Sequence, residues 1–283
     1  MTQVIIQGLL LSGLYSLIAI GFTLIFSVGR VLNLAYGAYL MLGAYAYFYV
    51  AQTLGLPMLV GVATAVVIGA HAGSFKYLFI VKPLKGDHVA VEISTLILAV
   101  IVQAGIVLVF DESSKVLQPI VAGVVWVGGA AVTYNVVAAT LASWVIIALL
   151  YLFVRKTHAG RAMQAVSMDV KGAEISGIDP DRINMTVWVI SGILGALAGV
   201  FFASYTQLNP TMWVSPLIIA VAVVIVGGIG SIIGTLVVAH IIGFMEVIST
   251  TFIAPELRGV FTMLIIIVVL VMMPKGLFGR AEL

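Results

Sequence analysis

Long apolar runs, each closed by a short polar punctuation, set the pattern of this chain. Runs over about 4–27, 31–51, 57–80 and 89–110 come first, and runs over about 135–154, 183–205, 217–248 and 257–273 follow. A helix needs about 20 apolar residues to cross a bilayer. Most of these runs are near that length. They are continuous rather than alternating, which predicts helices and not the strands of a barrel. A helix also satisfies its own backbone hydrogen bonds in lipid. The first run reads as a span and not as a cleavable leader, because it has no basic lead-in and continues past leader length.

The punctuation is equally regular. Arg30 closes the first run, and Gly55 with Pro57 turns the second into the third. Lys76, Lys82, Lys85, Pro83 and Gly86 read as a basic patch after the third, and Asp111, Glu112 and Lys115 end the fourth. Residues 116–134 are broken by Pro119 and Gly128–Gly129, while Val124–Val127 favours extended structure. They read as an exposed loop or small hairpin, with one more short span as the alternative. Residues 217–248 are too long for one crossing at about 1.5 Å per residue. They are interrupted by Gly227, Gly228, Gly230 and Gly234. Two short arms are predicted, as two spans or as a re-entrant pair of half-helices. Broken helices are tolerated where they line a cavity or are buried in protein, and they often mark a transport path. The expected architecture is an all-α polytopic transmembrane bundle of about eight spans, a single domain over 1–283.

One polar island interrupts this pattern. Residues 155–182 hold nine of the 24 charged residues, and residues 183–245 hold none. Within it, Met163, Val166, Val170 and Ala173 recur at spacings of three and four, which predicts one face of a short amphipathic helix. Gly172 interrupts that helix and Gly177 suits its C-terminal cap. Asp179, Pro180 and Asp181 form a cap, first position and first turn for the next span. Such a helix fits a partner protein or a lipid surface equally well. The small residues Ala162, Ala165, Gly172, Ala173 and Gly177 favour close approach of a protein.

Composition sharpens the class. The chain is 63% hydrophobic and 8% charged, whereas soluble domains carry roughly 25% charged residues. Cysteine is absent, which excludes disulfides, thiolate metal sites and a cysteine nucleophile. With the island placed in the cytosol and the spans alternating, eleven of thirteen basic residues fall inside, leaving Lys115 and Arg258 outside. That asymmetry puts the N-terminus outside and the C-terminus in the cytoplasm of a cell-membrane protein. There is no Gly-Lys-Ser/Thr phosphate loop. His71, His88, His158 and His240 are scattered. Glu92 and Glu246 lie near span ends, so buried relay acids are scarce, which argues against an ion-coupled carrier. Trp126, Trp188 and Trp213 read as interfacial anchors. Asn33 reads as a polar residue of the path or as a cap of the second span, and Asn209 with Pro210 as a turn, plain or beneath a partner.

The chain resembles the membrane subunits of branched-chain amino acid ABC importers. Residues 16–45 are similar to the family's opening signature, with Arg30, Val31, Asn33 and Ala35 in place and Tyr36–Gly37 where histidine and glycine are common. Residues 82–85, 92–103, 160–178, 224–235 and 273–280 match later motifs in order. The resemblance implies a permease without catalytic residues or cofactor, with ATP hydrolysis in two cytosolic ATPase subunits. It implies a second related permease and an extracytoplasmic solute-binding protein as partners, in membrane lipid and without nucleic acid. It assigns residues 156–182 to a cytoplasmic ATPase-coupling loop, with Gly160, Arg161, Ala162, Asp169, Ala173, Gly177 and Ile178 as its matching positions. Asn33, Gly227, Gly228, Gly230 and Gly234 are the candidate path residues. The cargo implied is a branched-chain amino acid, with an amide, urea or a sugar as alternatives on the same architecture. A stand-alone channel or ion-coupled carrier is the reading from another class.

Overall fold

The computed structural model describes residues 2–127, 130–228, 230–254, 259–273 and 276–278. Among them the structure is almost wholly helical. The order is α1 (Thr2–Gly29), α2 (Tyr36–Tyr47), α3 (Met58–Lys76), α4 (His88–Phe110), β1 (Val124–Val127), β2 (Ala130–Thr133) and α5 (Tyr134–Lys156). Then follow α6 (His158–Met168), α7 (Val170–Ile175), α8 (Pro180–Tyr205), α9 (Val214–Gly227), α10 (Ile232–Phe252) and α11 (Val260–Met272). Helices α2 and α3 run on into π-helical turns, Phe48–Thr53 and Tyr77–Val81. Six helices are long and apolar enough to cross a membrane: α1, α3 with its turn, α4, α5, α8 and α10. Helix α9 is a shorter apolar one, as is the stretch Val260–Val269 of α11. The all-α bundle expected from the runs is therefore present.

Residues 116–134 contain a hairpin, with Val124 opposite Thr133 in antiparallel register. The long run at 217–248 is two helices, α9 and α10, as its glycines predict. Gly228 and Gly230 adopt φ of 91° and 78°, the left-handed region open to glycine. Ser231 caps α10 by accepting from the Gly234 N–H at 3.0 Å. Arg258, Lys275 and Arg280 of the charge count, and Gly128–Gly129 of the hairpin, lie outside the described residues.

Helix α1 is the axis of the bundle. Its apolar face is so broad that most of it is buried, and it packs on α10, α8, α5 and α9. Small residues set the closest approaches. A Cβ on Gly192 of α8 would lie 3.0 Å from the Gly69 carbonyl carbon and 3.2 Å from the Gly73 nitrogen of α3. Polar side chains tie the same seams: Thr23 and Thr235 hydroxyls meet at 2.8 Å, and Ser191 donates to the Gly21 carbonyl at 2.7 Å. Helices α3, α4 and α5 keep most of their surface exposed.

Three expectations are corrected. The second run is not one helix from residue 31. Residues 30–35 are non-helical, and α2 begins only at Tyr36, deep in the bundle, where Tyr36 and Tyr39 pack on Gly195 of α8. The island is not one helix over 161–178. It breaks at Asp169, not at Gly172, because the Asp169 carboxylate accepts from the Lys171 N–H at 3.0 Å and starts α7 afresh. Trp188 and Trp213 are not interfacial anchors: Trp188 is fully buried and Trp213 is buried with its indole donating to Gln103. Trp126, on the hairpin, is exposed.

Candidate functional site

The island forms one end of the molecule. Thr157 opens α6 by accepting from the Gly160 N–H at 3.0 Å. Gly160 is buried against α5, where a Cβ would sit 2.5 Å from the Val154 Cα. Met163, Val166 and Ala173 point inward and are buried, as the spacing predicted. Val170 does not join them: the break at Asp169 turns it outward, and it is exposed. Arg161 is exposed and donates to His158 Nδ1 at 3.2 Å. Ala162 is half-buried, Asp169 is exposed as the α7 cap, and Gly177 takes φ 80° to end α7. The Ile178 N–H then donates to the Ala173 carbonyl at 3.0 Å. Gly160, Ala173 and Ile178 thus shape the insert from within, while Arg161 and Asp169 stand on its surface. Its exposed apolar side chains are Met168, Val170 and Ile175, the last 88% exposed. Met168 and Ile175 do not follow the helical spacing that singled out the buried face, so periodicity alone passed over them.

The insert is fixed to the bundle at both ends. Asp179 caps α8 through the Asp181 and Arg182 N–H groups. Asp181 in turn pairs with Lys85 at 2.9 Å and Lys82 at 3.2 Å, and accepts from Tyr77 at 3.3 Å. The basic patch after the third run is therefore joined to the start of α8. Arg30, at φ 52°, reaches the Ser167 carbonyl at 3.3 Å and links the end of α1 to α6.

Lys76 departs from its expected place. It is not part of the exposed patch but is 1% exposed inside the bundle. Its ammonium donates to Asn33 Oδ1 and to the Ala35 carbonyl, both at 3.1 Å, and lies 3.8 Å from the centre of the Tyr39 ring. Thr95 on α4 accepts from the Leu34 N–H at 3.2 Å. Non-helical backbone within a membrane bundle needs such partners, because no water is there to supply them. Asn33 is fully buried and its side chain does not cap α2. It ties the unwound segment to Lys76 instead. The scarcity of buried charge expected from the sequence is corrected too, since Glu246 is 3% exposed and accepts from Tyr15 at 2.7 Å.

The glycine turn lies at the island end of α1. A Cβ on Gly230 would meet Ser27 at 3.4 Å, and one on Gly227 would lie 2.8 Å from the Gly234 backbone. Gly227, Gly228 and Gly234 are buried there, and the Leu277 N–H donates to the Val226 carbonyl at 2.8 Å. Sizeable cavities lined by described residues include two of interest. One, of about 520 Å³, opens at the end opposite the island and is lined by Tyr15, Tyr205, Gln207, Asn209, Thr211 and others. Its rim is held by the Lys115–Leu208 backbone pair, at 2.8 and 3.0 Å, which joins the hairpin loop to the turn after α8. The other, of about 340 Å³, is an apolar cleft between α2, α3 and α4 whose lining includes Lys76 and Tyr39.

The described residues thus form a multi-pass helical bundle with a broken helix, an end-opening cavity and a capped amphipathic insert, the class of a polytopic membrane protein. The comparisons carry this to a family. The chain belongs to the branched-chain amino acid transport system permease components, whose family model matches residues 4–270. It is 28% identical to the high-affinity branched-chain amino acid transport system permease protein LivH of Salmonella typhimurium, over 99% of this chain and 96% of that one. It is 26% identical to the corresponding permease BraD of Pseudomonas aeruginosa, again over 99% and 96%. The ribose import permease RbsC of Haemophilus influenzae is 28% identical over 82% of this chain and 72% of its own length. No solved structure matches.

Proposed function

We propose that this chain is the membrane-spanning permease subunit of an ATP-driven importer for branched-chain or similar apolar amino acids. Its near full-length similarity to branched-chain permeases carries the reading. Of the two cytosolic ATPases, one would dock on the insert 156–182, whose exposed Met168, Val170 and Ile175 offer an apolar contact ringed by Arg161, Asp169, Lys171 and Glu174. The island then faces the cytosol, with the N-terminus outside and the C-terminus inside. A second related permease completes the membrane part, and a solute-binding protein delivers cargo to the cavity rimmed by Asn209. Asn33 stands at the unwound segment beside the path, and Gly227, Gly228, Gly230 and Gly234 at its inner mouth.

The test is uptake in proteoliposomes holding this chain with its co-purified partners. Leucine uptake that requires ATP and the binding protein is expected. Uptake on an ion gradient alone, with no ATPase present, would overturn the importer reading. The ribose permease relative favours one rival, the same machine carrying a sugar. Mass spectrometry of the solute retained by the partner binding protein separates the two.

A further inference from the structure

The apolar cleft between α2, α3 and α4 carries an inference that rests on the proposed function and extends it. Its walls are aliphatic and aromatic: Leu42, Ile68, Phe75, Leu98 and Val102. Its volume, about 340 Å³, falls within the roughly 300–1,000 Å³ usual for small-molecule sites. Three polar groups break the apolar lining, namely Lys76, Tyr39 and His71.

Each of the three is unusual for its depth. Lys76 brings a buried cation, and no carboxylate pairs with it among the described residues. Buried charges in membrane spans pair or mark solute pathways. The Tyr39 hydroxyl is buried beside the Asn33 amide, and its own proton has no acceptor among the described residues. Lys76 and the Tyr39 hydroxyl thus place two donors at the floor of the cleft, beside the N-terminus of α2. His71 lies at mid-length of the α3 span and is exposed, where a lipid-facing helix would carry an apolar residue. Its Nδ1 lies 2.8 Å from the Val67 carbonyl, which can only accept. Nδ1 therefore carries a proton, and in the neutral ring Nε2 is the acceptor.

A site with Lys76 and the Tyr39 hydroxyl at its floor, an acceptor on its flank and aliphatic walls is complementary to one kind of small molecule. We propose that this cleft is a membrane-embedded subsite for an apolar α-amino acid. The solute carboxylate is received by Lys76 and the Tyr39 hydroxyl. Its ammonium is received by His71 Nε2, and its side chain lies among Leu42, Ile68, Leu98 and Val102. Lys76 is then a specificity residue as well as a tie on the unwound segment, so solute arrival bears directly on the start of α2.

The chain has no cysteine, which allows a clean test. Leu98→Cys, in the full chain in lipid nanodiscs, is labelled with a small maleimide. Leucine should slow labelling, and leucinol, which lacks the carboxylate, should not. Adding Lys76→Gln should weaken leucine protection by about 10–100-fold, the worth of a charged hydrogen bond. A purely structural role for Lys76 would shift labelling of the empty site without changing the ratio of leucine to leucinol protection. His71→Ala, on the exposed flank, gives a second variant that spares the buried tie, and should also weaken leucine protection. Equal protection by leucine and leucinol, protection by oleate alone, or none by leucine would overturn the proposal. Leucine uptake that persists in the complete transporter alongside any of these results would leave the importer reading standing.

Discussion

The packing of α8 on α3 makes a prediction that can be worked from distances. Gly192 faces Gly69 and Gly73, and a methyl group placed there meets backbone atoms at 3.0 and 3.2 Å, with the Gly69 carbonyl oxygen nearer still. Backbone cannot rotate away as a side chain can, so Gly192→Ala must push two long helices apart. Overpacking of this kind costs about 1–3 kcal/mol. Alanine returns about 0.5–1 kcal/mol through its better helix propensity. Gly105 is the matched control: it lies within α4, is exposed, and its added methyl would meet nothing within 4 Å. Gly105→Ala should keep the propensity gain and incur no clash. The two variants should therefore differ by about 1–3 kcal/mol. At roughly 2–4 °C per kcal/mol for a chain of nearly this size, their melting points should lie some 2–12 °C apart, with Gly192→Ala the lower. The assay is thermal unfolding in mild detergent at one scan rate, followed by tryptophan fluorescence, since Trp188 is buried on the same helix. If both variants melt together, within about 1 °C, the close crossing of α3 and α8 does not hold the bundle as argued.

Two further substitutions probe separate parts. Ile175→Asp changes a side chain that is 88% exposed, so stability should stay within about 0.5 kcal/mol, while ATPase co-purification and uptake fall together by tenfold or more; unaltered co-purification would count against docking on that surface. Ser231→Ala removes the cap of α10 and should cost about 1 kcal/mol, read as a lower melting temperature with Ser231→Asn restoring most of it.

The long elements were legible because a membrane helix announces itself by a continuous apolar run, and nothing local competes with it. The cap at Asp179 and the break at Gly228 and Gly230 were legible for a similar reason, since each acts on backbone a few residues away. The unwound segment was not. Residues 31–36 contain no glycine or proline, and the group that stabilises their non-helical backbone, Lys76, lies 43 positions from Asn33. A lysine near the end of an apolar run, with Lys82 and Lys85 following, reads as loop until the fold brings it against α2. The break at Asp169 was hidden by a competition that the pattern cannot weigh, between one more helical turn and a side chain able to cap the next. Its consequence is that Val170 faces outward with Met168 and Ile175. The proposed coupling surface therefore combines one residue of the helical spacing, Val170, with two that lie off it.

The bundle is unevenly fastened, and this bears on which part can move. Helices α1, α8 and α10 bury broad faces against one another. Helix α4 is held by a thin stripe, Val91, Thr95, Ala99 and Ile106, together with the Thr95 bond to Leu34 and the Gln103 bond to Trp213. Opening the cleft between α3 and α4 therefore exposes little packed surface, whereas separating α1 from α10 would break the Thr23–Thr235 contact and the bond from Tyr15 to Glu246. Regions with few buried contacts open first. Spin labels at Val67 and Ile101, both exposed on α3 and α4, should give a broad distance distribution. Labels at Ile5 and Ile248, exposed on α1 and α10, should give a narrow one. Adding leucine should narrow or shift only the first pair, because the solute would bridge α2, α3 and α4 and leave the α1–α10 seam untouched. A first pair as narrow as the second would mean that α4 is fixed by something other than its stripe, and the cleft would then be a rigid pocket and not a moving one.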